Sequence, residues 1–193
     1  METCPIDIFT EWYNQEINLS KAAIPTACCL STIGTDHYPN ARFVSFKGIV
    51  ENNFIVTGTI SSRKGLEINQ TNKVALTFWW TETERQVRIQ GNAHQISNEL
   101  ADKYFAERNR DSQIISIVSN QGQEIDDVQT LNERYQEVET RFLNYNLIRP
   151  ENWSGYSIEP IRIEFLGFKT TRFHDRQLYV LINKQWTRTQ LQP

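Results

Sequence analysis

Between residues 27 and 96 the chain carries five short runs, 27–33, 41–50, 54–59, 74–80 and 86–96, each dense in Val, Ile, Thr, Phe or Trp. Side chains of this kind fit a pleated, half-buried surface. Turn chemistry separates the runs at Gly34-Thr35-Asp36, Glu51-Asn52-Asn53 and Thr81-Glu82-Thr83-Glu84, and the pattern predicts an antiparallel meander. The interval between the third and fourth runs differs. Residues 62–72 read as a short helix capped by Ser61 or Ser62, with Leu66 and Ile68 as its apolar residues. Ahead of the sheet, Ile8, Phe9, Trp12 and Ile17 recur at helical spacing after Asp7, a residue able to cap the segment. They predict an amphipathic helix packed on the sheet.

Residues 98–144 are polar, helical in period and free of glycine apart from Gly122, which predicts two or three helices. The last covers 126–144, with Val128, Leu131, Tyr135, Val138 and Phe142 as its apolar stripe. Strand patterning resumes at Tyr156 and continues to the end. With 193 residues, 39% of them hydrophobic, the chain can build one sizeable core. The expectation is a single domain over 1–193, mainly β, with a helical insert at about 98–145.

Composition removes several function classes. A formal charge of −3 argues against a protein whose work is coating nucleic acid, while leaving room for a local cationic pocket. The three cysteines, Cys4, Cys28 and Cys29, have neither zinc-ligand spacing nor the separated pairs of a disulfide framework, as expected in a reducing cytoplasm. No apolar run approaches the roughly 20 residues of a membrane span. Residues 1–10 carry Glu2, Pro5 and Asp7 where a secretory leader would be basic and then apolar, so a cytoplasmic protein without membrane attachment is expected. There is no Gly-rich dinucleotide fingerprint, no phosphate loop ending in Gly-Lys-Ser/Thr and no nucleophile elbow. His37, His94 and His174 are scattered, and no metal is assigned.

What remains is a set of cation-plus-hydroxyl clusters. Arg42 and Lys47 share one predicted strand, and Ser61-Ser62-Arg63-Lys64 opens a predicted helix, where free N–H groups and the helix dipole favour a phosphate. Tyr104, Arg108 and Ser112 stand four residues apart, forming a stripe able to clamp a second phosphate if one helix persists that far. Between apolar runs at 161–168 and 178–182 lies Arg172-Phe173-His174-Asp175-Arg176. Inside a strand, Arg172, His174 and Arg176 would line one face as a cationic surface titrating near neutrality. Each cluster taken alone also fits a solvated helix face, a cap or an edge strand.

Together these residues resemble the pyridoxamine 5′-phosphate oxidase family, from the helix containing Trp12 to Pro193. The landmarks are Arg42-Phe43-Val44-Ser45-Phe46-Lys47, Ser62-Arg63-Lys64-Gly65, Glu84-Arg85-Gln86-Val87, Tyr104-Phe105 with Arg108 and Asp111-Ser112-Gln113, Trp153-Ser154-Gly155-Tyr156, Ile163-Glu164-Phe165 and the Arg172 to Arg176 run. The resemblance implies an FMN-binding split β-barrel, homodimeric, with the cofactor at the subunit interface. It assigns Arg42, Arg63 and Lys64 to the FMN phosphate and ribityl chain, the stretch from Arg42 to Lys47 to the length of the flavin, and Gln86 to the isoalloxazine from the partner subunit. Gln121 and Arg176 complete the implied flavin site. Lys47, Tyr104, Arg108 and Ser112 would bind the phosphate of a small pyridine substrate, and Arg172 and His174 would orient its ring. The implied reaction oxidises pyridoxamine or pyridoxine 5′-phosphate to pyridoxal 5′-phosphate, with O2 as acceptor and H2O2 released.

The sequence departs from the family pattern at three places that bear on the flavin. Thr57-Gly58 stands where the family has Tyr-Thr, Leu166 where it has Trp, and Gly122 where Ser often follows Gln121. The related phenazine-biosynthesis oxidases are similar at Asp126-Asp127-Val128-Gln129 and at the ending Leu191-Gln192-Pro193. An FMN oxidase of a phenazine precursor, a non-catalytic flavin-binding protein, and a structural dimer with Trp79 and Trp80 in its interface are the alternatives.

Overall fold

The computed structural model describes residues 4–193. Helix α1 (Pro5–Leu19) begins with Pro at a first-turn position, where a missing N–H costs nothing. Its cap is Cys4, not Asp7; Asp7 sits inside the first turn, where its charge complements the helix dipole. The five expected runs form β1 (Ala27–Ile33), β2 (Pro39–Val50), β3 (Asn53–Thr59), β4 (Lys73–Trp80) and β5 (Arg85–Gln95). Between β3 and β4 lies α2 (Arg63–Gln70), capped by Ser62; its Ile68 is buried, whereas Leu66 faces out.

Strand order corrects the expected meander. The sheet runs β3-β2-β1-β4-β5-β6-β7-β8, where β6 (Trp153–Gly167), β7 (Asp175–Ile182) and β8 (Gln185–Gln190) follow the helical insert. Strand β4 returns beside β1 instead of β3, with α2 as the crossover, so the far edge of β3 is free to pair with β6. That pairing closes six antiparallel strands into a barrel and removes the open edges they would otherwise present. Strands β7 and β8 extend the sheet from β6.

Alternation along the strands sends one set of side chains into the barrel. Phe9 of α1 is fully buried against them, with ring centroids 4.8 Å from Phe54, 5.0 Å from Phe78 and 5.7 Å from Phe46. Trp80 belongs to this core at 3% exposure while Trp79 is 60% exposed, so the two tryptophans do not form one interface. Phe9→Leu should lower stability by about 1–2 kcal/mol, because the lost ring edge leaves space the surrounding rings cannot fill. Thermal unfolding would show this as a drop in Tm; an unchanged Tm would show that the core repacks. The carboxylate of Glu16, also buried, accepts from the Thr83 N–H at 3.0 Å and its hydroxyl at 2.9 Å, pinning the β4–β5 turn to α1.

The insert contains three helices, α3 (Asn98–Ala106), α4 (Arg110–Val118) and α5 (Val128–Arg141). A second cluster of Ile55, Ile96, Ala101, Tyr104, Phe105 and Trp153 docks α3 on β3 and β6. Helix α5 buries no residue fully. Its expected stripe is half-buried at Leu131, Tyr135, Val138 and Phe142, and Val128 is exposed. The Tyr135 hydroxyl donates to Asp111 of α4 at 2.7 Å. Among the described residues no helix is long and apolar enough to cross a membrane.

Candidate active site

A cleft of about 270 Å³ opens where β2, β3 and α2 face α4 and the turn after it. Arg42, Phe43 and Val44 of β2, Thr57 and Gly58 of β3, Lys64 of α2, Arg108 and Gln121 all line it. Eight residues singled out in the sequence thus meet in one place. Gly58 is required there by space: a Cβ at this position would lie 2.9 Å from Cε and 3.1 Å from Nζ of Lys64. The amine of Lys64 crosses β3 through that gap and donates to Ser62 Oγ at 2.8 Å and Gln121 Oε1 at 3.1 Å. An ammonium has three donors, so these contacts leave one more for a ligand. Burial, and then the nearby Arg42 guanidinium, pull the Lys64 amine down to about 8.

The arginines at this end are tied together by a residue the sequence reading missed. Glu67, 1% exposed, accepts from Arg42 Nη2 at 2.9 Å and from Arg63 Nε at 2.9 Å. Arg42 also donates to Thr32 Oγ1 and to the Leu30 carbonyl, and Arg63 reaches Asp36 at 3.2 Å. Burial alone would push the Glu67 carboxyl up; hydrogen bonds from Thr32, Arg63 and Arg42 outweigh it and hold the group below the usual range. The spacing of Arg63 and Glu67, four apart on a helix, is the one local signal of this pair.

On the other side of the cleft, α3 ends at Ala106 and α4 starts at Arg110. Tyr104, Arg108 and Ser112 therefore do not form a stripe on one helix. Asn109 caps α4 through the Ser112 N–H at 2.9 Å, a start signal that breaks the helix at this point. Arg108 sits in the connection, 5.1 Å over the Trp153 ring, donating to the Ser112 carbonyl at 3.1 Å and to Ser116 Oγ at 3.4 Å. Its buried Nε has no protein partner. Tyr104 is buried in the second cluster, which pushes its hydroxyl up. Lys47 is the extra residue of a β-bulge: β2 and β3 pair Phe46 with Val56 and then Gly48 with Ile55. Burial pulls its amine down, the Arg108 guanidinium pulls it down further, and Glu107 partly opposes them. Two cations thus share this corner without an ion pair among the described residues.

Other expected residues lie elsewhere. The Phe46 side chain points into the core against Phe9, leaving only its backbone for a ligand, and Ser45 pairs with Ala27 on the β1 side of β2. Gly122 follows Gln121 with φ +85°, a left-handed position that suits glycine. Gln86, Leu166 and Arg176 stand in one cross-strand row over β5, β6 and β7. Arg172 and His174 are not on a strand. They belong to the turn before β7, with Arg172 at φ 66° and the His174 Nδ1 accepting the Lys169 N–H at 3.1 Å. A neutral His174 ring therefore carries its proton on Nε2. Arg176 Nε donates to the buried Glu164 at 2.7 Å, and Arg88 holds the other Glu164 oxygen at 2.5 Å. Glu164 entered the sequence reading only as part of the Ile163-Glu164-Phe165 landmark, with no role assigned, and Arg88 was not singled out.

The two groups are far apart within one chain. Gly58 pairs with Ser154 at one end of β6, and Gln86 pairs with Leu166 near the other. Those β6 positions are twelve residues apart, up to about 40 Å along an extended strand.

A closed six-strand barrel with a cation-lined cleft under a helical insert defines a split-barrel protein. The chain belongs to the pyridoxamine 5′-phosphate oxidase family: the family model of that description matches residues 20–142, and the model of the pyridoxine 5′-phosphate oxidase C-terminal dimerisation region matches 153–193. Among curated relatives, the pyridoxine/pyridoxamine 5′-phosphate oxidase of Leptospira biflexa is 36% identical over 98% of this chain and 89% of its own length. That of Legionella pneumophila strain Paris is 38% identical over 100% and 89%. Among solved structures, PhzG from Burkholderia lata 383, in complex with tetrahydrophenazine-1-carboxylic acid, has a TM-score of 0.92 and is 29% identical, covering 100% of this chain and 94% of that one.

Proposed function

We propose that this chain is an FMN-dependent oxidase that converts pyridoxamine or pyridoxine 5′-phosphate to pyridoxal 5′-phosphate, acting as one unit over 1–193. The observation that carries the reading is two cationic corners at one cleft: Arg42 and Lys64 line it on one side and Arg108 on the other, with Lys47 near enough to Arg108 to feel its charge. A phosphorylated cofactor and a phosphorylated substrate need one corner each. Full-length similarity to oxidases of this name supports it.

The residues present fit FMN. The space a Cβ at Gly58 would take is filled by the Lys64 side chain, whose amine keeps one donor for a phosphate. Ser154, 1% exposed and directly across from Gly58, has a hydroxyl with no protein partner. A buried polar atom without a partner costs about 1–3 kcal/mol, a penalty that a bound ligand or water removes. Bound there, FMN would supply the acceptor for a hydride from the carbon bearing the amine or alcohol and would be reoxidised by O2 with release of H2O2.

The chain's own residues do the rest. Lys64, Arg42 and Arg63 neutralise the cofactor phosphate, and Gln121 braces the Lys64 amine. The buried Nε of Arg108 and the Lys47 amine bind the substrate phosphate, with Tyr104 and Ser112 framing them. Arg172 and His174 orient the pyridine ring, while Gln86, Leu166 and Arg176 border the isoalloxazine. Because about 40 Å of β6 can separate the two groups, we read the complete site as shared between two copies, each supplying one end. The dimerisation-region match over 153–193 and the exposed Phe43 and Trp79 support this homodimer.

One pH dependence follows from Lys64. Its amine titrates at about 8 before ligand binds, and a phosphate dianion favours the charged form, so its pKa rises on binding. FMN affinity should be highest near pH 7, where the phosphate is mostly the dianion and Lys64 still charged, and fall above pH 8 by up to tenfold per pH unit. Fluorescence titration of the apoprotein across pH 6–9.5 measures this, and a flat profile would remove Lys64 from the phosphate site.

The solved relative binding tetrahydrophenazine-1-carboxylic acid favours a second reading, oxidation of a reduced phenazine at the same flavin. Comparing flavin reduction by pyridoxamine 5′-phosphate and by that tricyclic acid decides between them.

A further inference from the structure

We propose that Glu67 is a positioning residue for the phosphate end of the cofactor site, fixing Arg42 and Arg63 in the geometry that receives the phosphate. The inference rests on the FMN reading above.

All the acceptor capacity of this carboxylate is in use. Oε2 accepts from Thr32 Oγ1 at 2.5 Å and Arg42 Nη2 at 2.9 Å, while Oε1 accepts from Asn40 Nδ2 at 2.6 Å and Arg63 Nε at 2.9 Å. An ionised carboxylate offers about four lone-pair sites, so four donors saturate it. Glu67 has nothing left to offer a ligand and acts only through its partners. Those partners come from three elements: β1 supplies Thr32, β2 supplies Asn40 and Arg42, and α2 supplies Arg63. The carboxylate therefore ties two strands to the helix whose Lys64 enters the cleft.

Each arginine keeps free donors after this tie. Arg42 uses Nη1 on Leu30 and Thr32 and Nη2 on Glu67, leaving Nε and a second Nη2 hydrogen. Arg63 uses Nε on Glu67 and one Nη2 hydrogen on Asp36, leaving Nη1. A guanidinium already ordered by one edge loses less rotamer freedom when its other edge meets a phosphate. The same logic applies to metal ligands oriented by outer partners.

The sign of the effect separates positioning from simple charge. Glu67→Gln removes a negative charge beside a cationic site, which by Coulomb attraction alone would tighten an anion. Whichever oxygen becomes the amide nitrogen then faces one arginine and one neutral donor, so an arginine is pushed out of place. Positioning thus predicts weaker binding in spite of the added positive charge.

The experiment is a fluorescence titration of the apoprotein with FMN and with riboflavin, which has the same ring and no phosphate. For Glu67→Gln we expect FMN affinity at least tenfold lower and riboflavin affinity within twofold of wild type. Asn40→Ala, which removes one neutral donor to the same carboxylate, should weaken FMN two- to fivefold with riboflavin again unchanged, and it carries the test if Glu67→Gln does not fold. Equal or tighter FMN binding overturns the proposal. So does an equal loss for both flavins, which marks Glu67 as a support of the fold alone. A wild-type protein that binds FMN no better than riboflavin contradicts the cofactor reading itself, a failure distinct from that of Glu67.

Discussion

Arg108→Ala is expected to raise KM for pyridoxamine 5′-phosphate by one to two orders of magnitude while changing turnover of unphosphorylated pyridoxamine little. A charge-assisted hydrogen bond contributes about 1.5–3 kcal/mol, which corresponds to roughly 10- to 150-fold in affinity. Arg108 suits this role because its ties to the protein are a carbonyl, a hydroxyl and an indole face, none of which neutralises it. Burial pulls its guanidinium below the usual range, consistent with a cation kept for an anion that arrives later. Since the phosphate is remote from the reacting carbon, the loss should fall on KM more than on kcat. Steady-state kinetics with both substrates measures the split. An equal loss for the two would assign Arg108 to holding Trp153 and the α3–α4 connection.

The second large effect is on the cofactor. Replacing Arg63 and Lys64 together by Ala should lower FMN affinity at least tenfold, with most of the loss following Lys64. The two cations differ in surroundings: Arg63 is 62% exposed and already paired with Asp36 and Glu67, whereas Lys64 is 7% exposed and touches only neutral oxygens. Exposed ion pairs contribute little, while a buried cation meeting a phosphate is screened less. The residues adjoin through Glu67 and Arg42, so the double variant should depart from the sum of the singles. Equilibrium dialysis of the three variants measures retention; undiminished FMN binding by the double variant would move the phosphate away from the α2 N-terminus.

The first five strands were legible in the sequence to within two residues, because alternation and turn chemistry are local. Their spatial order was not. Whether β4 returns beside β3 or β1 depends on β6, some 90 residues downstream, taking the free edge of β3. Arg42, Lys64 and Arg108 were legible as members of cation-plus-hydroxyl clusters, and they do line one cleft. The helix break at 107–109 had a signal in Asn109 that the four-residue spacing of Tyr104, Arg108 and Ser112 obscured. Arg172 and His174 read as strand because the turn from 168 to 174 contains neither Gly nor Pro, and Arg172 itself takes the positive φ. The roles of Glu67 and Glu164 were not legible because most of their partners lie on other strands, brought together by the closed barrel; the Arg63 spacing was the one local hint of Glu67.

Oxidation of a B6 phosphate through bound FMN is the activity proposed for this chain. Its most direct test is the visible absorbance of the FMN-loaded protein on anaerobic addition of pyridoxamine 5′-phosphate, followed by admission of O2. The oxidised-flavin spectrum should bleach, O2 should restore it, and one pyridoxal 5′-phosphate should appear for each flavin reduced. A flavin that stays oxidised with both pyridoxamine and pyridoxine 5′-phosphate, yet bleaches with tetrahydrophenazine-1-carboxylic acid, would contradict it.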